Sequence, residues 1–162
     1  MDVIAHIIWT YLIFHKLRLD YIFLAVFFGI LPDLMSFGLY LPYLIFKGKF
    51  RLNKLKRIEK EHKKTPKWVE HLYNFSHSLF IPFSFFILIS LLIGKISWFV
   101  LPWIIHILID IPLHTKHYYP TPFLWPFSEY KFYGIKWHSM RFMMVNYTLL
   151  FIICILTYLG VF

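Results

Sequence analysis

Apolar residues fall in long blocks and do not alternate with polar ones: Val3 to Phe14, Tyr21 to Phe46, Leu79 to Ile93, Ile96 to Leu113 and Met143 to Phe162. Such blocks predict helices, since only helices and closed barrels satisfy the backbone in lipid and strands would show a period of two. The second block is interrupted by Pro32 and Asp33, so its tail, 34–46, is expected as a separate interfacial or re-entrant piece. Turns near Lys16 and at Gly94-Lys95 fold the chain into two helical hairpins, 3–33 and 76–113, followed by a C-terminal helix at 142–162. The expected fold is all-α: a multi-pass transmembrane bundle of four to five membrane helices in one integral membrane domain. Several blocks are shorter than the roughly 20 residues that a comfortable span needs, so a thinned bilayer or partial insertion is expected.

Composition supports this class. Of 162 residues, 59% are hydrophobic and only 15% charged, and a water-soluble domain of this size could not hide so much apolar surface. Disorder, a disulfide scaffold and an ordinary cytosolic enzyme are excluded together. The single cysteine, Cys154, lies in an apolar block and offers neither a disulfide nor a thiolate pair for a metal. Net charge is +9, and ten of the seventeen Lys and Arg lie between Lys47 and Lys67. That concentration defines a basic loop, 47–70, expected on the cytoplasmic side against anionic lipid headgroups. The segment lacks the interleaved aromatics of a nucleic-acid binder, so no nucleic acid is expected as a partner. The aromatic and proline-rich loop at 114–141 adds Lys116, Lys131, Lys136 and Arg141 on the same side.

Against this background, ionisable groups inside apolar blocks stand out, because each costs a few kcal/mol to insert. They are His6, Asp33, His77, His106 and Asp110. Each alone has an ordinary reading, such as an interfacial histidine, a helix cap or a hydrogen-bonded Ser76-His77 pair. Together they share a depth. His6 and Asp33 both lie roughly 15–20 Å from the first turn, and His77, His106 and Asp110 lie roughly 14–24 Å from the second. All five converge towards the end that carries the basic loops. His106 and Asp110, four residues apart, project from one helix face as a metal-binding pair must. A divalent cation would share the charge of such a set, and nitrogen and oxygen donors without thiolate suit zinc, with manganese or iron also compatible. His114 and His117, just past Pro112, are candidates to complete a second ion. His15, His62, His71 and His138 read as interface or loop residues.

Ala5-His6-Ile7-Ile8, Gly29-Ile30-Leu31-Pro32-Asp33-Leu34, Ser76-His77-Ser78-Leu79, His106-Ile107-Leu108-Ile109-Asp110 and Pro122-Phe123-Leu124-Trp125-Pro126-Phe127 occur in this order. The set resembles the YdjM-type family of membrane-bound metal-dependent hydrolases, which is distantly similar to the zinc phospholipase C and P1 nuclease group. The resemblance covers about residues 3 to 133. It implies the same five ligands and a phosphoester hydrolysed at one or two metal ions. Met35 replaces the second acidic residue of the family's PDLD, and His71 to Ser78 lacks the family's arginine. Fewer ions than in the soluble relatives are therefore expected. Asp33 or Asp110 would bridge metals or take the proton from water. The expected activity is hydrolysis of a phospholipid or lipid-linked headgroup at the cytoplasmic face of the cell membrane. The alternatives are a small transporter or ion-handling protein using the same cluster, or a structural membrane protein. The matched order of His6 with Asp33 and His77 with Asp110 further suggests a duplicated hairpin.

Overall fold

The computed structural model describes residues 1–17, 19–48, 65–115 and 119–161, and among these it is helical without strands. Helix α1 (Val3–Phe14) starts on Asp2, whose carboxylate accepts the Ala5 N–H at 3.0 Å, a side-chain cap for an otherwise orphan donor. It is followed by α2 (Leu19–Asp33), a π-helical turn (Leu34–Gly38) and α3 (Leu39–Phe46). Helices α4 (Lys67–Ser76) and α5 (Phe80–Ile93) come next, and Gly94 ends α5 with φ +65°. A 3-10 turn (Trp98–Val100) leads into α6 (Leu101–Leu113), and α7 (Met140–Tyr158) starts on the Ser139 hydroxyl.

Helix α2 is the centre of the bundle, packed along α1 on one side and α6 on the other. One apolar cluster joins α1, α6 and α7 through Ala5, Leu12, Leu113 and Leu150. A second joins α2 to α6 through Phe28, Val100, Trp103 and Ile107, with Phe85 and Phe86 of α5 against it. Gly29 lets α1 and α2 approach closely, since a Cβ there would lie 2.5 Å from Thr10 Oγ1.

Two helical segments are long and apolar enough to cross a membrane: Asp20–Phe46, with 27 residues, and Met140–Tyr158, with 19. A third is added if α4 and α5, bent by 55°, count as one span. Val3–Phe14 and Trp98–Leu113 are apolar but shorter; at 1.5 Å per residue they reach only about 18 and 24 Å against a hydrocarbon core of about 30 Å. Four to five full spans are thus more than these lengths provide. Outward faces remain apolar, with Phe23, Leu91, Leu92 and Phe151 all more than 65% exposed, a surface that water would not tolerate and lipid would.

Three boundaries differ from the sequence reading. The helix does not stop at Pro32-Asp33: α2 runs through Pro32 and one wide π turn carries the chain into α3, so 34–46 is not a separate piece. Residues 67–70 belong to α4 and not to the basic loop, because Val69, Tyr73 and Ser76 fall on one buried helical face. Ser76 also belongs to α4, and the second hairpin's first helix begins at Phe80. Most of the basic loop, 49–64, lies outside the described residues, as does His117.

Candidate metal centre

The start of α1, the last residue of α2, the bend between α4 and α5, and α6 with the residue that follows it meet at one end of the α1–α2–α6 packing. Each brings ionisable side chains. His6 Nε2 lies 3.3 Å from Asp110 Oδ1, while His106 Nε2 and His114 Nε2 each lie 3.4 Å from Asp110 Oδ2. Asp33 Oδ1 is 3.8 Å from His77 Nε2 and 4.0 Å from His106 Nε2. The His6 and His106 rings stack with centroids 3.7 Å apart, and His77 stands edge-on to His106. All six side chains expected as ligands, His6, Asp33, His77, His106, Asp110 and His114, are therefore brought together. His71 is exposed on α4, and His15 bonds the Leu12 carbonyl at 2.7 Å away from the cluster.

The backbone decides which nitrogen each ring presents. His106 Nδ1 lies 2.7 Å from the Gly29 carbonyl, and His114 Nδ1 2.7 Å from the Tyr119 carbonyl. A carbonyl oxygen can only accept, so Nδ1 carries the proton and Nε2 turns its lone pair inward. His77 Nδ1 lies 3.0 Å from Ser76 Oγ and 3.2 Å from the Tyr73 carbonyl. Ser76 in turn donates to the Pro32 carbonyl at 3.1 Å, beside Ser36, which donates to the same oxygen at 3.0 Å. The π turn thus exposes a carbonyl that fixes His77 through Ser76. The pairing of Ser76 with His77, an ordinary explanation of both residues, and the inward Nε2 hold at once.

The donors fit a cation. Nε2 of His6, His77 and His106 and Oδ2 of Asp33 are buried with no hydrogen-bond partner among the described residues, an arrangement that costs free energy unless something else satisfies them. Ligand atoms of His6, Asp33 and His106 lie within 4.8 Å of one another, as do those of His77, His106 and Asp110. The contacts of 3.3 and 3.4 Å to Asp110 match the edge of a tetrahedron with bonds of about 2.0–2.1 Å, which is about 3.4 Å. A positive group already rests here: the Met1 α-ammonium lies 2.5 Å from Asp110 Oδ1. These buried groups could hold a metal ion, whose identity the donor set leaves open.

Sequence reasoning missed Tyr73 and Tyr119. The Tyr73 ring stacks on His77 at 4.0 Å, and its hydroxyl donates to the Tyr119 carbonyl at 2.7 Å. Tyr119 adopts φ +40°, which turns that carbonyl inward to take bonds from both Tyr73 and His114. Burial also raises the Tyr119 phenol above its usual range. Tyr73, four residues before His77 on the last turn of a helix, was a usable signal; a backbone carbonyl at 119 was not. The loop that follows straps this end of the molecule, with Gly134 N–H on the His114 carbonyl at 2.7 Å and Leu79 N–H on the Phe123 carbonyl at 3.0 Å.

No family model, curated protein or solved structure matches the chain.

Proposed function

We propose that the chain is a membrane-embedded, metal-dependent hydrolase of a phosphoester such as a phospholipid or lipid-linked headgroup, with zinc the expected metal. The observation that carries this reading is the set of three buried histidine Nε2 atoms without hydrogen-bond partners among the described residues, gathered around two carboxylates. The order of the five motifs that contain these residues resembles the YdjM-type hydrolases and agrees with this reading. A bound divalent cation would supply Lewis acidity at a phosphoryl oxygen and an acidified water.

The chain's own residues divide the remaining work. Asp110 lies 3.3 Å from His6 Nε2 and 3.4 Å from His106 and His114 Nε2, so it would share a cation with these histidines as a ligand. Among the described residues Asp33 Oδ2 has no hydrogen-bond partner, and its side chain is 13% exposed where its neighbours are almost closed, which supports Asp33 as the carboxylate that would accept a proton from water. Helix α4 presents Lys67, Glu70 and His71 outward, which puts the α3–α4 side of the cluster in headgroups or water and the α1, α5 and α7 side in lipid. The basic stretch between α3 and α4 would then collect anionic lipid near the opening, on the cytoplasmic face by its charge. A transporter would need a polar route away from the cluster, and neither α5 nor α7 beyond Arg141 carries a group charged at neutral pH.

Metal analysis of the full chain purified in detergent, with hydrolysis measured over a panel of headgroups, tests the proposal. His106→Ala should lose most of the bound metal and the activity, whereas exposed His71→Ala should lose neither. Undiminished metal in His106→Ala sinks the centre; metal retained by the wild-type chain with no hydrolysis of any phosphoester sinks the reaction.

A further inference from the structure

Beside the metal centre, and separated from it by one layer of side chains, lies a polar cavity of about 250 Å³ between α4 and the loop after α6, lined by Thr65, Glu70, Tyr73, Asn74, Tyr119 and Lys131. We propose that this cavity is a second binding site, for a small zwitterion in which a primary ammonium is joined by a short linker to a phosphate. The inference does not depend on the hydrolase reading.

Opposite charges line the cavity, yet neither Glu70 nor Lys131 has an ion-pair partner within 4.0 Å among the described residues. Among the described residues the lining offers one carboxylate and one ammonium, so an anion alone or a cation alone would answer only one of them. A zwitterion engages both, with its ammonium on Glu70 and its phosphate on Lys131. Asn74 and Thr65 add neutral polar groups on the same wall. Sites for drug-sized ligands begin at about 300 Å³, so the space suits a headgroup and not a whole lipid. Its floor is also specific. Tyr73 lines the cavity and its ring stacks on His77 at 4.0 Å, and Tyr119 lines it while its carbonyl holds His114 Nδ1 at 2.7 Å. The occupant therefore rests on the two residues that orient His77 and His114.

The same chemistry could come from a free aminoalkyl phosphate or from a lipid headgroup, so the test has two arms. Calorimetry on the full chain in a non-ionic detergent measures O-phosphoethanolamine, inorganic phosphate and ethanolamine separately. Binding to nanodiscs of phosphatidylcholine with and without phosphatidylethanolamine, followed by chemical shifts of the lipid phosphorus, measures the lipid form. Preferential binding of the zwitterion in either arm supports the site and identifies the source. Glu70→Gln and Lys131→Met should each weaken it about tenfold, the loss of one charge-assisted contact, while bound metal stays at the wild-type level. Equal affinity for phosphate and phosphoethanolamine, no binding in either arm, or full affinity in both variants overturns the proposal.

Discussion

Gly29→Ala tests whether close contact between α1 and α2 sets the geometry of the candidate metal centre. A Cβ at position 29 would lie 2.5, 3.2 and 3.3 Å from Thr10 Oγ1, Cγ2 and Cβ. A χ1 change that turns the Thr10 Hβ towards position 29 relieves the 2.5 Å contact but leaves Cβ at 3.3 Å, so either Thr10 leaves its rotamer or α1 moves away from α2. Alanine gains about 1 kcal/mol over glycine in a helix interior, and overpacking costs about 1–3 kcal/mol, which leaves a net loss of up to about 2 kcal/mol. For a chain of this size that lowers Tm by up to about 8 °C. The second consequence is local. The Gly29 carbonyl holds His106 Nδ1 at 2.7 Å, and loosening an outer partner of a metal-ligating histidine typically costs 10–100-fold in metal affinity, so about tenfold is expected here. The assay is thermal unfolding in detergent with zinc titration of the same preparation. Thr10→Ala in the Gly29→Ala background removes Oγ1 and Cγ2 and should restore both quantities. If Gly29→Ala alone matches wild type, the contact does not matter; if the double variant remains as impaired as the single one, the damage does not pass through Thr10.

Gly134→Ala should be more severe, because its Cβ would lie 1.8 Å from the Pro112 backbone carbonyl, which no rotamer change can move; a loss above about 4 kcal/mol, read as failure to yield folded protein, is expected. Asn146→Leu strands the Trp9 indole N–H, now 3.0 Å from Asn146 Oδ1, and should lower stability by about 1–3 kcal/mol in denaturant titration without changing metal content. Tyr73→Phe keeps the ring on His77 but loses the 2.7 Å bond to the Tyr119 carbonyl; a loss of about 1 kcal/mol is expected, with the metal retained. Chelation of the wild-type chain should lower Tm, because a cation bound only to the folded state stabilises it by mass action, by about 2.7 kcal/mol at a hundredfold excess over Kd. An unchanged Tm after chelation contradicts metal binding at the cluster.

The cluster was legible from sequence for one physical reason. An imidazole or carboxylate inside an apolar block is costly enough that His6, Asp33, His77, His106 and Asp110 stood apart from the surface histidines, and two hairpin turns placed them at a common depth. What was not legible is what orients them. The acceptors for His106 and His114 are backbone carbonyls at Gly29 and Tyr119, and a carbonyl has no side-chain signature. Pro32 was visible, but a proline can kink, stop or widen a helix. Ser36 and Ser76, which satisfy the Pro32 carbonyl, favour the π turn only once α4 is packed against it. Helix α4 was obscured by lysines that read as loop, although its buried positions recur at helical spacing.

The pairing across the two hairpins carries the last step. Histidine and aspartate occur in matching order in each, yet the short contacts cross over: His6 of the first hairpin meets Asp110 of the second at 3.3 Å, and His77 before the second helix pair meets Asp33 of the first at 3.8 Å. Of the two donor triads, His77, His106 and Asp110 come from the second half alone, whereas His6, Asp33 and His106 draw on both. A cation bound at the second of these triads would therefore cross-link the halves, and its binding free energy would oppose their separation. Segments of 12 and 16 residues, Val3–Phe14 and Trp98–Leu113, are too short to anchor themselves across a bilayer about 30 Å thick. Both are nevertheless tied to α2, through Gly29 on one side and Phe28 on the other. The cluster at their ends closes that arrangement, which makes metal binding and the docking of two short helices one equilibrium: loss of the cation should loosen α1 and α6 before the long apolar segments, measurable as faster amide exchange in those two helices first.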